Sequence, residues 1–248
     1  AIGFYLRKVF VPIGYCLDYG RSPSVALTSP DLIGNTLLAG AFLLSLITVY
    51  WKKGFHPVLF ASLFFLSALF PVLGFKPFSF QTTSTVADRY LYVPLIAIAW
   101  LTALAVQTLR RAKPIAIGAL LGLGILTFLQ TLHWQDTPTL FAAALRVNPK
   151  SWLLHNNLGS YSERQEDWNK ALYHYARSAE IKPQQIAYNN MGAVSMSLGR
   201  FEKAIEFYDL SLSLNPLSPI DLNGKAYACL ALGRKGCARE NFKAALRI

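Results

Sequence analysis

The run from Lys76 to Pro94, KPFSFQTTSTVADRYLYVP, gathers an acid, an arginine and two tyrosines just before a long apolar stretch. A guanidinium offers a planar fork of donors that matches phosphate oxygens, which makes Arg89 the residue best suited to hold a phosphorylated ligand. Asp88 is suited to orienting that guanidinium or accepting from a sugar hydroxyl. Tyr90 and Tyr92 carry rings with an apolar body and a polar tip, fit for a membrane–water boundary. Lys76 is a second phosphate contact. The same residues also read, without chemistry, as an aromatic belt with an Asp–Arg anchor. No catalytic acid is identified, since Asp18 and Asp31 are isolated, and no Ser-His-Asp spacing, P-loop or G-x-G-x-x-G motif is present. His56, His133, His155 and His174 are scattered and no C-x-x-C occurs, so no metal site is expected. Cys229 and Cys237 read as two buried thiols, the other reading being a disulfide across a hairpin in an oxidising compartment.

The elements that must position these residues follow from where charge is missing. The chain has 248 residues, of which 53% are hydrophobic and 15% charged, too apolar for an ordinary soluble domain and incompatible with disorder. Residues 1–148 carry net charge +7 and residues 149–248 carry +4, with no basic run interleaved with aromatics, so a nucleic-acid partner is not expected. Four stretches free of Asp, Glu, Lys and Arg, residues 32–51, 54–75, 90–109 and 114–135, are 20, 22, 20 and 22 residues long. At about 1.5 Å per residue each is long enough to cross a hydrocarbon core of roughly 30 Å as a helix. Lys52 and Lys53 in one connection, and Arg110, Arg111 and Lys113 in another, place those loops on the cytoplasmic side. The Lys76–Arg89 loop and both chain ends then face the periplasm or lumen. Arg7, Lys8 and Asp18 interrupt the apolar residues of the N-terminal segment, which is expected to be an interfacial helix whose basic side chains meet lipid phosphates and which Pro12 and Gly14 end.

Beyond residue 151 the sequence repeats itself. Leu158-Gly159, Met191-Gly192 and Lys225-Ala226 are each followed 12 residues later by alanine, Ala171, Ala204 and Ala238, and four residues after that by Tyr175, Tyr208 and Phe242. With Pro183 and Pro216 closing the first two units, this is the helix-turn-helix pattern of tetratricopeptide repeats (TPRs). HNNLG and YNNMG put Asn157 and Asn190 in one register, with Asn223 one place earlier in the third unit. Carboxamides both donate and accept, so such a ladder is suited to gripping the backbone of an extended polypeptide, and packing between repeats is the plainer reading. The expected architecture is all-α: an interfacial segment (1–31), four transmembrane helices (32–135), a degenerate half repeat (136–151) fused stiffly to the membrane region, and a TPR solenoid of about three repeats (152–248).

VADRYLYVP, the upstream FYLRKVFVPIGYCLDY and the run HWQDTPTLFAAALRVNPKSWLLHNNLG together resemble the transmembrane and TPR-repeat-containing glycosyltransferases over essentially the whole chain. The resemblance implies a GT-C-like, O-mannosyltransferase-like enzyme. Such an enzyme moves a sugar from a polyprenyl-phosphate carrier to a protein Ser or Thr on the lumenal or periplasmic side. It further implies that Arg89 meets the carrier's phosphate and that the catalytic acid lies upstream of Ala1, the chain being the C-terminal half. The alternative is a non-catalytic membrane-anchored TPR scaffold or accessory subunit, for which small-residue runs such as GALLGLG (118–124) provide close helix packing.

Overall fold

The computed structural model describes residues 1–54, 56–73, 84–108 and 112–248, and among these the secondary structure is helical throughout. The chain forms two compact units, Ala1–Pro149 and Lys150–Ile248.

In the first unit, α1 (Ile2–Phe10) and α2 (Pro23–Thr28) precede the long α3 (Asp31–Lys53), then α4 (Pro57–Leu69), α5 (Leu95–Thr108), α6 (Ala112–Thr131) and α7 (Thr137–Val147). Helix α3 places Asp31 in its first turn and Lys52 and Lys53 in its last, each sign matched to the helix dipole, and it stops at Gly54, whose φ of +63° a side chain would resist. Among the described residues, two helical stretches are long and apolar enough to cross a membrane, Asp31–Lys53 and Lys113–Trp134. The other two apolar stretches are shorter than the sequence implies. Helix α4 ends at Leu69, where Pro71 sits in a 3₁₀ turn (Phe70–Val72), and α5 begins only after a separate 3₁₀ turn (Asp88–Leu91) and Pro94. Among the described residues they run for 13 and 14 residues, about 20 Å each.

The N-terminal helix packs against the other helices of this unit. Phe4, Tyr5 and Leu6 are buried in one core with Ala61, Phe65 and Leu69 of α4, Val86 and Leu91 of the following loop, and Ala97 of α5. Gly3 makes this possible, because a Cβ there would stand 1.9 Å from the Asn35 carbonyl oxygen of α3. Arg7 and Arg21 both reach Asp31 at 3.3 Å, and Lys8 is buried. Arg7 and Lys8, expected to meet lipid phosphates, thus have intramolecular partners as well, Asp31 for Arg7 and the carbonyls of Ile13 and Gly14 for Lys8.

The second unit is three helical hairpins: α8 (Trp152–Arg164) with α9 (Trp168–Ile181), α10 (Gln185–Ser197) with α11 (Phe201–Leu214), and α12 (Pro219–Ala231) with α13 (Lys235–Ala245). Ser151, Asp167 and Ser218 cap α8, α9 and α12 by accepting from backbone N–H groups of the first turn. Close approach inside the first two hairpins depends on glycine facing an aromatic ring: a Cβ on Gly159 would lie 2.6 Å from the Tyr175 ring, and one on Gly192 2.8 Å from that of Tyr208. Ser178 and Ser211, one repeat apart, donate to the carbonyls of Trp152 and Gln185 at 2.8 and 3.2 Å, tying each second helix to the start of its partner. Cys229 and Cys237 form a disulfide across the last hairpin rather than remaining two thiols.

Candidate functional site

The site in the first unit is assembled by docking residues 84–91 onto the N-terminal segment. The Ala87 N–H donates to the Tyr5 hydroxyl at 3.1 Å, and the Thr85 N–H to the Arg21 carbonyl at 2.7 Å. The Tyr19 hydroxyl donates to the Asp88 carboxylate, 2.8 Å from each oxygen, and the Cys16 N–H donates to the same group at 3.1 Å. Asp88 is thus occupied by Tyr19 and Cys16 instead of forming the Asp–Arg anchor of the sequence reading. Burial is the main reason its carboxyl is pushed above the usual range, with Tyr19, Cys16 and the nearby Lys8 ammonium opposing.

Around this junction the titratable groups are held in fixed states. Lys8 donates to the carbonyls of Ile13 and Gly14, and its ammonium stands 5.1 Å from the ring centroids of Tyr15 and Tyr19. Burial lowers its pKa, with Asp88 pulling the other way. The buried Cys16 thiol is pushed up to about 11, so it is not a nucleophile at neutral pH; its sulfur lies 3.0 Å from the Asp18 carbonyl. Tyr19 is raised by burial and by Asp88, and its proton stays in the bond to the carboxylate.

Beside the junction opens a cavity of about 540 Å³. Asp88, Arg89 and Tyr92 line it together with Tyr15 and Cys16, and Gln130 and His133 come from the end of α6 and the 3₁₀ turn after it. Leu91, Leu95, Leu123 and Leu126 supply an apolar wall. Arg89 is exposed, with its guanidinium 5.1 Å from the Tyr90 ring centroid. Tyr92 is exposed and Tyr90 packs at the edge of the core. The cavity therefore joins a planar cation and several hydrogen-bonding groups to a greasy groove, the chemistry of an amphiphile with an anionic head. Lys76 lies outside the described residues. Cys16, Tyr19, Gln130 and His133 were not singled out as site residues by sequence reasoning, and Lys8 was read as a lipid-phosphate contact instead; the one available signal was the basic and acidic residues breaking the apolar run FYLRKVFVPIGYCLDY.

In the second unit the asparagines divide. Asn190 donates to the carboxamide oxygen of buried Asn156 at 3.4 Å, joining α10 to α8, and Asn189 and Gln185 both donate to buried Asp221 of α12. Asn157 is half-buried and Asn223 exposed. His155 and His174 place their Nδ1 atoms 3.2 Å apart, and burial, with His155 and Lys170 adding to it, lowers His174 to about 4. Among the described residues no group of three potential metal ligands occurs.

Residues 186–216 match the family model described as Tetratricopeptide repeat. This segment is a TPR. The chain is also similar to Protein O-mannosyl-transferase TMTC3 of Homo sapiens, 30% identical over 157 residues, and to that of Mus musculus, 33% identical over 161 residues. Each alignment covers 60% of this chain and 17% of the relative, so the chain spans about one-sixth of their length. Among solved structures, a crystal structure of MamA is 23% identical, covering 61% of this chain and 85% of that one with a TM-score of 0.44. Among the described residues the chain is helical, it carries a TPR at 186–216, and it is similar to protein O-mannosyl-transferases. TPR solenoids present extended concave surfaces used to bind other proteins.

Proposed function

We propose that this chain is part of a GT-C-like membrane glycosyltransferase that takes a sugar from a polyprenyl-phosphate carrier and transfers it to Ser or Thr of a protein, with the TPR unit binding the acceptor. The observation that carries the reading is the amphiphilic cavity, in which Arg89, Tyr92, Gln130 and His133 share a surface with Leu91, Leu95, Leu123 and Leu126. The guanidinium's role is to hold the carrier phosphate and stabilise the charge that develops there as the sugar leaves. Asp88, bonded to Tyr19 and Cys16, fixes the turn on which Arg89 sits. Similarity to O-mannosyl-transferases supplies the reaction class, and no residue of this chain is assigned as the carboxylate that activates the acceptor hydroxyl.

Four apolar segments embed the first unit, α3 and α6 as complete spans and the stretches holding α4 and α5 as shorter ones. The 84–92 segment and the TPR unit then lie on the lumenal or periplasmic side. The Cys229–Cys237 disulfide supports that side, since such bonds persist in oxidising compartments. Asn157 and Asn223, together with the face of Asn190 beyond its bond to Asn156, contact the acceptor backbone. The test is Arg89→Ala in the full-length protein: transfer to a Ser/Thr acceptor falls at least 100-fold (about 3 kcal/mol of transition-state stabilisation) while the protein still inserts, and Arg89→Lys recovers part of it. Full activity in Arg89→Ala rejects the assignment.

A further inference from the structure

A second cavity, of about 520 Å³, lies at the far end of α3, where that helix meets the start of α4. Among the described residues, its lining includes Lys52, Lys53 and His56 and no acidic residue. The His56 Nδ1 accepts from the Val58 N–H at 3.3 Å, which leaves the ring hydrogen on Nε2 as a donor. Ser45 and Thr48, also in the lining, already donate to the carbonyls of Phe42 and Leu44 within their own helix. The polar end of the cavity is therefore a set of cationic and N–H donors without a built-in anion. The rest of the lining includes apolar Ala41, Leu44, Val49 and Val58. Next to it Leu44, Ile47 and Trp51 are 64%, 54% and 83% exposed.

Position decides between ligands with an anionic head. Asp31, in the first turn of α3, is tied by Arg7 and Arg21 to the segment that builds the candidate site, whereas the second cavity runs along the same helix from Ala41 to its basic end at Lys52 and Lys53; Lys52 lies about 32 Å along the helix from Asp31. That is the thickness of a bilayer core. A lipid reaching the first cavity from one leaflet does not reach the second, which is open to lipids of the other.

We propose that the Lys52–Lys53–His56 cavity binds an anionic glycerophospholipid of the leaflet facing that end of α3. The phosphate is held by the two ammonium groups and the His56 Nε2–H, and the acyl chains run along Leu44, Val49 and Val58. This rests on α3 spanning a membrane, as the proposed function does, but not on any glycosyltransferase activity. A soluble phosphate compound leaves the apolar half of the cavity unfilled, whereas a phospholipid satisfies both halves.

The test uses the full chain in mild detergent with equimolar phosphatidylglycerol and phosphatidylcholine, read by native mass spectrometry. Phosphatidylglycerol adducts exceed phosphatidylcholine adducts, and the preference falls about fivefold for each lysine removed in Lys52→Gln and Lys53→Gln. Lys113→Gln leaves the ratio within about twofold, and millimolar inorganic phosphate does not displace the lipid. Equal retention of the two lipids, an equal loss in Lys113→Gln, or displacement by inorganic phosphate overturns the proposal. Alkaline extraction of the same chain from membranes separates the two levels: resistance to extraction without a phosphatidylglycerol preference sinks the lipid site alone, and ready extraction sinks the membrane reading beneath it.

Discussion

Asp221 is fully buried on α12, and its two oxygens accept from Gln185 and Asn189 of α10, 36 and 32 residues earlier. Replacing it with alanine removes the acceptor that joins the second and third hairpins and leaves two carboxamide donors without their partner. Hydrogen bonds to a carboxylate contribute roughly 1.5–3 kcal/mol each, and water reaching the half-buried amides recovers part of that, so the expected loss is about 2–4 kcal/mol. Hydrogen exchange read peptide by peptide on the intact chain localises the effect. Amides of α10 and α12 that exchange through subglobal opening speed up by roughly 30- to 700-fold, at tenfold per 1.4 kcal/mol. Exchange in α3 stays unchanged. Asp221→Asn keeps one carbonyl acceptor but turns an amine toward the other donor, so it falls between the two. Acceleration below about threefold in both α10 and α12 of the alanine variant refutes the view that this buried carboxylate holds the repeats together.

Other consequences are equally open to measurement. Gly159→Ala forces a methyl group into the buried Tyr175 ring and costs about 1–3 kcal/mol, seen as faster exchange in α8 and α9. Glu166 takes φ +59° where the next two repeats have Gly199 and Gly233 at +68° and +72°, so Glu166→Gly stabilises that hairpin, by roughly 0.5–1 kcal/mol; a loss of stability contradicts the strain argument. Burial holds His174 at about 4 in the folded chain against 6.5 unfolded. Its contribution to stability is complete above pH 6.5 and is lost as pH falls towards 4, and His174→Gln flattens the dependence of the α8–α9 exchange rates between those limits. Tyr19→Phe frees one side of Asp88 without emptying the core, so in the full-length protein it lowers transfer while leaving exchange in α4 unchanged.

The repeats were legible in the sequence because their determinants are local and recur: the Gly–Tyr approaches at Gly159 and Gly192 bring together side chains only 16 residues apart. The bonds between repeats were less so. Same-register asparagines pointed to a shared surface, yet the structure pairs Asn190 with Asn156 and gives Asn189 to an aspartate in the next unit, a crossing that depends on the stagger of the hairpins. The membrane region was read from charge gaps, which mark apolar composition but not where a helix stops. Pro71 and the turn before Pro94 shorten α4 and α5 within gaps of 22 and 20 residues. Least visible was the docking of Tyr5, Cys16 and Tyr19 against residues 84–91, because partners 69–82 positions apart leave no periodic trace. Arg89 was found from residue type alone, and the cavity beside it only from the fold.

The most direct measurement of the account is photoaffinity labelling of the intact chain in vesicles with a photoactivatable polyprenyl phosphate. With the carrier held beside Arg89, label concentrates on peptides containing residues 91–95 and 123–133, is competed by unlabelled carrier and is lost in Arg89→Ala. Label spread evenly along α3 and α6, unchanged by competitor or by Arg89→Ala, contradicts it.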